Sequence, residues 1–127
     1  MDYNKVDNLI QDILGNVMII KERKKYEHER GLAEPIYRAC CEYYQGGHDM
    51  PARQNLFYKK VVIYQERLQN HMGEASHLYL QIHNKIERIE TAITHLKRKR
   101  PDSDFDMQSA IIHESKLRNL LAQLRAA

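Results

Sequence analysis

A stripe of apolar residues spaced three and four apart runs from Phe57 to Leu96, and no other feature constrains the fold as tightly. Phe57, Val61, Tyr64, Leu68, Met72, Ala75, Tyr79, Ile82, Ile86, Ile89, Ile93 and Leu96 keep this alternation, with one four-residue stutter between Leu68 and Met72. Such spacing sets one apolar side chain per turn along a single face of an α-helix. A stutter locally unwinds a supercoil, and the adjacent Gly73 costs about 1 kcal/mol of helix propensity relative to Ala. The pattern therefore predicts one long helix over 52–99 with a bend or frayed spot at Met72-Gly73. At 1.5 Å per residue such a helix is about 70 Å long. That exceeds what a 127-residue globule can hide, so the seam is expected to pack against a second long helix.

The first arm has its own seam. Tyr3, Val6, Ile10, Ile13, Val17 and Ile20 step by three and four, and the rhythm then fails at Lys24 and Glu27. A helix over 3–30 is expected, polar beyond Lys21. Gly31 and Pro35 interrupt it, and Leu32, Ile36, Ala39, Cys40 and Tyr43 restart helical spacing over 35–45, Pro35 being tolerable in a first turn. Gly46-Gly47-His48-Asp49 reads as a connector and Pro51 as the start of the next helix. After Pro101-Asp102-Ser103-Asp104, the residues Met107, Ala110, Leu117, Leu121 and Leu124 predict a last helix within 105–127.

The fold expected is all-α: an elongated antiparallel helical hairpin or coiled coil over 1–100, and a linker with an extra C-terminal helix over 101–127. Antiparallel arms would lay Val6–Ile20 beside Ile82–Leu96, which makes Val6, Ile10, Ile13, Val17, Ile20, Tyr79, Ile82, Ile86, Ile89, Ile93 and Leu96 the expected packing and dimer interface. Full burial of each Ile stabilises by roughly 1.5–3 kcal/mol. Leu9, Leu14, Ile63, Leu78 and Leu80 would stay exposed on a two-helix hairpin, and exposed rows of this kind are what self-association covers. A homodimer, or a heterodimer with another helical subunit, is the expected state. A monomeric three- or four-helix bundle closed by the last helix is the alternative.

Composition narrows the class further. Charged residues are 29% and hydrophobic residues 43% of the chain, too apolar for disorder and too charged for a membrane protein. The longest aliphatic run is Val17-Met18-Ile19-Ile20, and Met1–Lys5 lack the basic start of a secretory signal, so neither secretion nor a membrane is expected. The adjacent Cys40 and Cys41 suit neither a disulfide framework nor a zinc site and read as reduced helical thiols, one facing a core.

Seven histidines invite a metal reading. His71, His77 and His83 are six apart and spread around a helix, and Glu74-Ala75-Ser76-His77 is a single Glu-x-x-His where a di-iron bundle needs two. They read as solvated side chains. No nucleophile elbow, metalloprotease motif or phosphate loop occurs, so neither catalysis nor a cofactor is expected; a small metal-centred bundle enzyme is the third-ranked reading. Lys97, Arg98, Lys99 and Arg100 form a basic run before Pro101, which the helix macrodipole accounts for in part. It is also a candidate nuclear-import signal or phosphate-contacting patch. A net charge of +3 argues against nucleic-acid binding as the main function.

Two stretches carry a family resemblance. Val6-Asp7-Asn8-Leu9-Ile10-Gln11-Asp12-Ile13, continuing to Val17 and Lys21-Glu22, is similar to the opening helix of the inhibitor of growth chromatin proteins. The run from Tyr79 to Ile93 resembles that family's second-arm signature, and Glu42-Tyr43-Tyr44 falls where the family has an acidic residue before two bulky ones. The likeness spans roughly residues 3–96. Ile10 stands where the family has Pro, and Lys24 and His83 where it has Asp. The zinc-bound finger that reads methylated lysine on histone H3 has no ligands in this sequence, and the helix from Phe105 onward has no counterpart. The resemblance implies a non-catalytic nuclear scaffold that dimerises through a helical bundle and docks partners of a histone-modifying complex. The alternative is a cytoplasmic coiled-coil adaptor in cytoskeletal or vesicle-tethering machinery.

Overall fold

Helices α1 (Asp2–Glu22), α2 (Ala33–Gln45), α3 (Met50–Val62), α4 (Gln65–Gln69) and α5 (Ser76–Lys99), with a 3-10 segment at Lys24–Glu29, form the chain in the computed structural model. The structure describes residues 2–99, with side chains for 3–96. No strand occurs among the described residues, and the fold is all-α. The chain divides into two units, Met1–Ala92 and Ile93–Ala127; the packing described below is that of the first.

Helix α1 follows its seam: Val6, Ile10, Ile13, Val17 and Ile20 are completely buried. It stops eight residues short of the expected end, at Glu22, because Arg23 adopts an extended conformation (φ −83°, ψ 127°). The next two seam positions are Lys24 and Glu27, so continuing the helix would bury nothing. The tighter 3-10 segment instead carries Tyr26 into the core. Arg30 compensates the interrupted ladder, donating Nε–H to the Ile20 carbonyl (3.2 Å) and Nη2–H to that of Arg23 (3.0 Å).

Antiparallel contacts set the helix directions. The Tyr43 hydroxyl, late in α2, donates to Asp7 Oδ1 early in α1 (2.8 Å). Gln54, early in α3, donates to the Tyr3 carbonyl (2.8 Å), so α3 starts beside the start of α1, antiparallel to α2. Asp49 caps α3 by accepting from the Ala52 N–H (3.1 Å), and Pro51 falls in the first turn. In α5, Gln81 accepts from Asn16 (3.0 Å) and Lys85 donates to the same amide (2.7 Å), while the Tyr58 hydroxyl of α3 reaches Glu90. Helices α1, α2, α3 and the first part of α5 thus form an antiparallel four-helix bundle, with α5 beside α1 as the hairpin expectation required.

The expected helix over 52–99 is three helices. Helix α3 ends at Val62, Tyr64 sits at φ −99°, ψ 0°, and residues 70–75 form a turn between α4 and α5. The rhythm persists across the breaks because Phe57 and Val61 of α3, Leu68 of α4, Ala75 of the turn and Tyr79 of α5 are all buried. Met72, on the same rhythm, is 87% exposed at the tip of the turn. Gly73 does more than bend a helix there: its φ of +144° is a conformation that side-chain-bearing residues rarely adopt.

These breaks divide the long second arm expected from the sequence. Tyr79, Ile82, Ile86 and Ile89 are completely buried within a single chain, as is the α1 seam, so these residues pack helix against helix inside one chain. Ile93 and Leu96 are buried as well and belong to the second unit. Of the flanking residues expected outside, Leu9 and Leu78 are buried and Leu14 is half-buried; Leu80 and Ile63 are exposed. The helix expected within 105–127, Arg100, and the side chains of Lys97, Arg98 and Lys99 lie outside the described residues.

Candidate docking groove

Helices α2 and α3 lie side by side with a groove between their outer faces. Two hollows line it. One, of about 640 Å³, is floored by Pro35 and Ala39 of α2 and by Ile63 and Tyr64 just past α3. The other, of about 190 Å³, lies between Tyr43, Arg53, Leu56 and Phe57. Ala39, Glu42 and Lys60 border both, and the Lys60–Glu42 ion pair bridges the groove where they meet.

Local sequence explains the shape. On α3, Phe57 and Val61 turn inward, which places Leu56, Lys59, Lys60 and Ile63 on the outer face. On α2, Ile36, Ala39, Cys40 and Tyr43 turn inward and leave Glu34, Arg38 and Glu42 along the rim. Pro35 and Ala39 are small, so the groove has depth. Ile63 is 69% and Leu56 40% exposed, which is unusual for aliphatic side chains flanking a hollow. Tyr43 forms the inner wall, its ring edge-on to Phe57 at 6.1 Å and beneath the Arg53 guanidinium at 5.0 Å. Arg53 is held by the Tyr43 carbonyl (3.0 Å), and burial pushes the Tyr43 hydroxyl above its usual pKa.

Glu29, His71 and Tyr79 make a second cluster of polar side chains. Glu29 Oε1 accepts from His71 Nε2 (2.8 Å) and from the Ala75 N–H (2.9 Å), and the Tyr79 hydroxyl donates to the Glu29 carbonyl. Burial pushes the Glu29 carboxyl up. Hydrogen bonds from His71 and the backbone of Ala75 and Glu74, with attraction to His71, outweigh it and hold the pKa below 4.5. Burial first, then repulsion from Glu29, pushes the Tyr79 hydroxyl up to about 12. These bonds tie the 3-10 segment to α5 and to the turn before it, so the cluster is a clasp.

Of the three histidines expected to be solvated, His77 is exposed, His71 is half-buried in the clasp and His83 is buried. His83 is buried and donates from Nδ1 to the Gln65 carbonyl (3.0 Å), joining α5 to α4; His77 bonds the Glu74 carbonyl (3.1 Å). Among the described residues no three His, Cys, Asp or Glu side chains gather as a metal-holding group, and no helix is long and apolar enough to cross a membrane. Cys40 and Cys41 are unbridged on α2; burial, then Cys41, pushes the buried Cys40 thiol up to about 12.

Of the sequence-predicted interface residues, Val6, Ile10, Ile13, Val17, Ile20, Tyr79, Ile82, Ile86 and Ile89 lie in the interior of the first unit; the groove has no counterpart among the sequence expectations beyond Ile63 as a flanking exposed position. Its signal was Leu56 and Ile63 seven apart, outside the seam of Phe57 and Val61. No family model, curated protein or solved structure matches this chain.

Proposed function

We propose that this chain is a non-catalytic docking module, a helical scaffold that engages partner proteins through the α2–α3 groove. The observation that carries this reading is the exposure of Ile63 and Leu56 beside two contiguous hollows, in a bundle whose other large aliphatic side chains on α2 and α3 face inward. Its setting is a nuclear chromatin complex, with Lys97–Arg100 as the import signal and another subunit reading the histone tail; this part rests on the sequence resemblance and the basic run. A cytoplasmic coiled-coil adaptor suits the bundle less well, since such a rod needs uninterrupted helices and a seam open to its partner. If the protein self-associates, it does so through a surface other than the closed seam.

Leu56→Ser/Ile63→Ser tests the reading. Both side chains are too exposed to matter much for folding, so the melting profile stays close to that of the parent. Losing each buried contact with a partner costs about 1.5–3 kcal/mol, which is at least about tenfold in affinity. Tagged parent and variant, purified from cells and compared by quantitative mass spectrometry, differ accordingly: the specific co-purifying proteins fall away from the variant, while Leu80→Ser, exposed on α5, retains them. An unchanged set contradicts the docking reading. A set lost by the variant but containing no histone-modifying subunits contradicts the chromatin setting alone.

A further inference from the structure

The charges along the α2–α3 groove define the chemistry of what it holds, an inference that rests on the docking reading above. Leu56 and Ile63 are seven residues apart, two helical turns, hence about 10 Å along the axis of α3. Lys59 and Lys60 lie between them on the same face. Across the groove, the two carboxylates of α2 are already engaged within the chain. Glu34 takes Lys21 Nζ on Oε1 (2.5 Å) and Arg38 Nε on Oε2 (3.3 Å), and Glu42 takes Lys60. The pKa of Glu34 is lowered, first by the Lys21 hydrogen bond, as expected of a carboxylate that stays ionised. Lys59 makes no ion pair among the described residues, and the Arg38 side chain is 73% exposed, with only Nε committed. The charge left for a ligand is therefore positive, and it sits between two apolar anchor points.

We propose that the groove binds an acidic amphipathic α-helix, with apolar side chains at i and i+7 set into the two hollows and carboxylates at i+3 and i+4 meeting Lys59 and Arg38. The spacing decides between a helix and an extended peptide. Two helical turns bring i and i+7 onto one face about 10 Å apart, whereas an extended chain covers that distance in about three residues and sends those two side chains to opposite faces. The Lys60–Glu42 pair lies between the anchors and keeps the two hollows distinct. Lys59 and Arg38 act from the rim, so they contribute orientation and association rate, with a salt-sensitive share of the affinity.

The probe is a short Ala-rich helical peptide, labelled with fluorescein, carrying two leucines seven residues apart and two glutamates between them. Versions with Gln or Lys in place of the glutamates serve as comparisons. Fluorescence anisotropy on the full chain shows the acidic peptide binding about tenfold or more tighter than the Gln peptide at low ionic strength, with the advantage shrinking as salt is added. Arg38→Glu/Lys59→Glu, both on the surface, reverses the order so that the Lys peptide binds best. Equal affinity of the acidic and Gln peptides overturns the charge assignment while leaving the groove a helix-docking site. No binding by any peptide, with co-purifying proteins still lost from Leu56→Ser/Ile63→Ser, overturns the helical occupant but spares the docking reading. Sedimentation showing a two-chain species that Leu56→Ser/Ile63→Ser dissolves makes the occupant a second copy and overturns the inference.

Discussion

Ile89→Asp unfolds the first unit of the chain. Ile89 is completely buried within one chain, and an aspartate there is stripped of water. The cost is several kcal/mol, against a total stability of about 5–15 kcal/mol for an ordinary domain. Far-UV circular dichroism with a urea titration shows the helical signal lost or its midpoint collapsed, while Ile89→Val loses only about 0.5–1.5 kcal/mol. The distinction is sharp because the long-hairpin expectation makes the opposite forecast. Were Ile89 at a seam between two chains, the variant would remain helical and its hydrodynamic mass would fall by half. A folded, half-mass variant contradicts the closed bundle.

Gly73→Ala strikes the turn before α5. Its φ of +144° is unfavourable for any side-chain-bearing residue, and a Cβ there would stand 2.9 Å from the Glu29 carboxyl carbon and crowd Glu29 Oε1. That oxygen is held by the Ala75 N–H and His71, so it cannot move aside without releasing both. Strain of this kind costs about 1–3 kcal/mol, roughly 4–8 °C of melting temperature per kcal/mol in a domain of this size. Because part of the cost passes through Glu29, Gly73→Ala/Glu29→Ala loses less than the sum of the single variants. The clasp also has a pH signature. The folded pKa of Glu29 lies below 4.5, so its contribution is fully present above that value and disappears as pH falls through the folded pKa. Thermal melts from pH 6 to pH 3 show the parent losing stability in acid, and Gly73→Ala losing less. Additive variants with parallel pH profiles contradict the clasp.

Much of the core was legible in the sequence, because burial follows periodicity. Val6 through Ile20 and Tyr79 through Ile89 are buried where the three-and-four rhythm put them. The reading failed on continuity. A rhythm shared by Phe57, Leu68, Ala75 and Tyr79 looks like one helix, yet it also arises when successive short helices each offer a side chain to a common core. Met72 satisfied the rhythm and lies at the tip of a turn. The helix propensity of Gly73 is legible in the sequence, whereas its decisive property, the positive φ, is not. The clasp was out of reach, because Glu29 and His71 are 42 positions apart and nothing in either local pattern links them. The groove could be half seen: Ile63 stood out as an exposed aliphatic, but its pairing with Pro35 and Ala39 depends on how α2 lies against α3.

The most direct measurement is photo-cross-linking in cells, with a photoreactive phenylalanine analogue placed in turn at Ile63, Leu56, Met72 and Leu80. All four side chains are exposed, and only the first two border the α2–α3 groove. Docking through the groove gives discrete cross-linked partners from positions 63 and 56 and none from 72 and 80. Partners captured from 72 or 80, with 63 and 56 silent, contradict it.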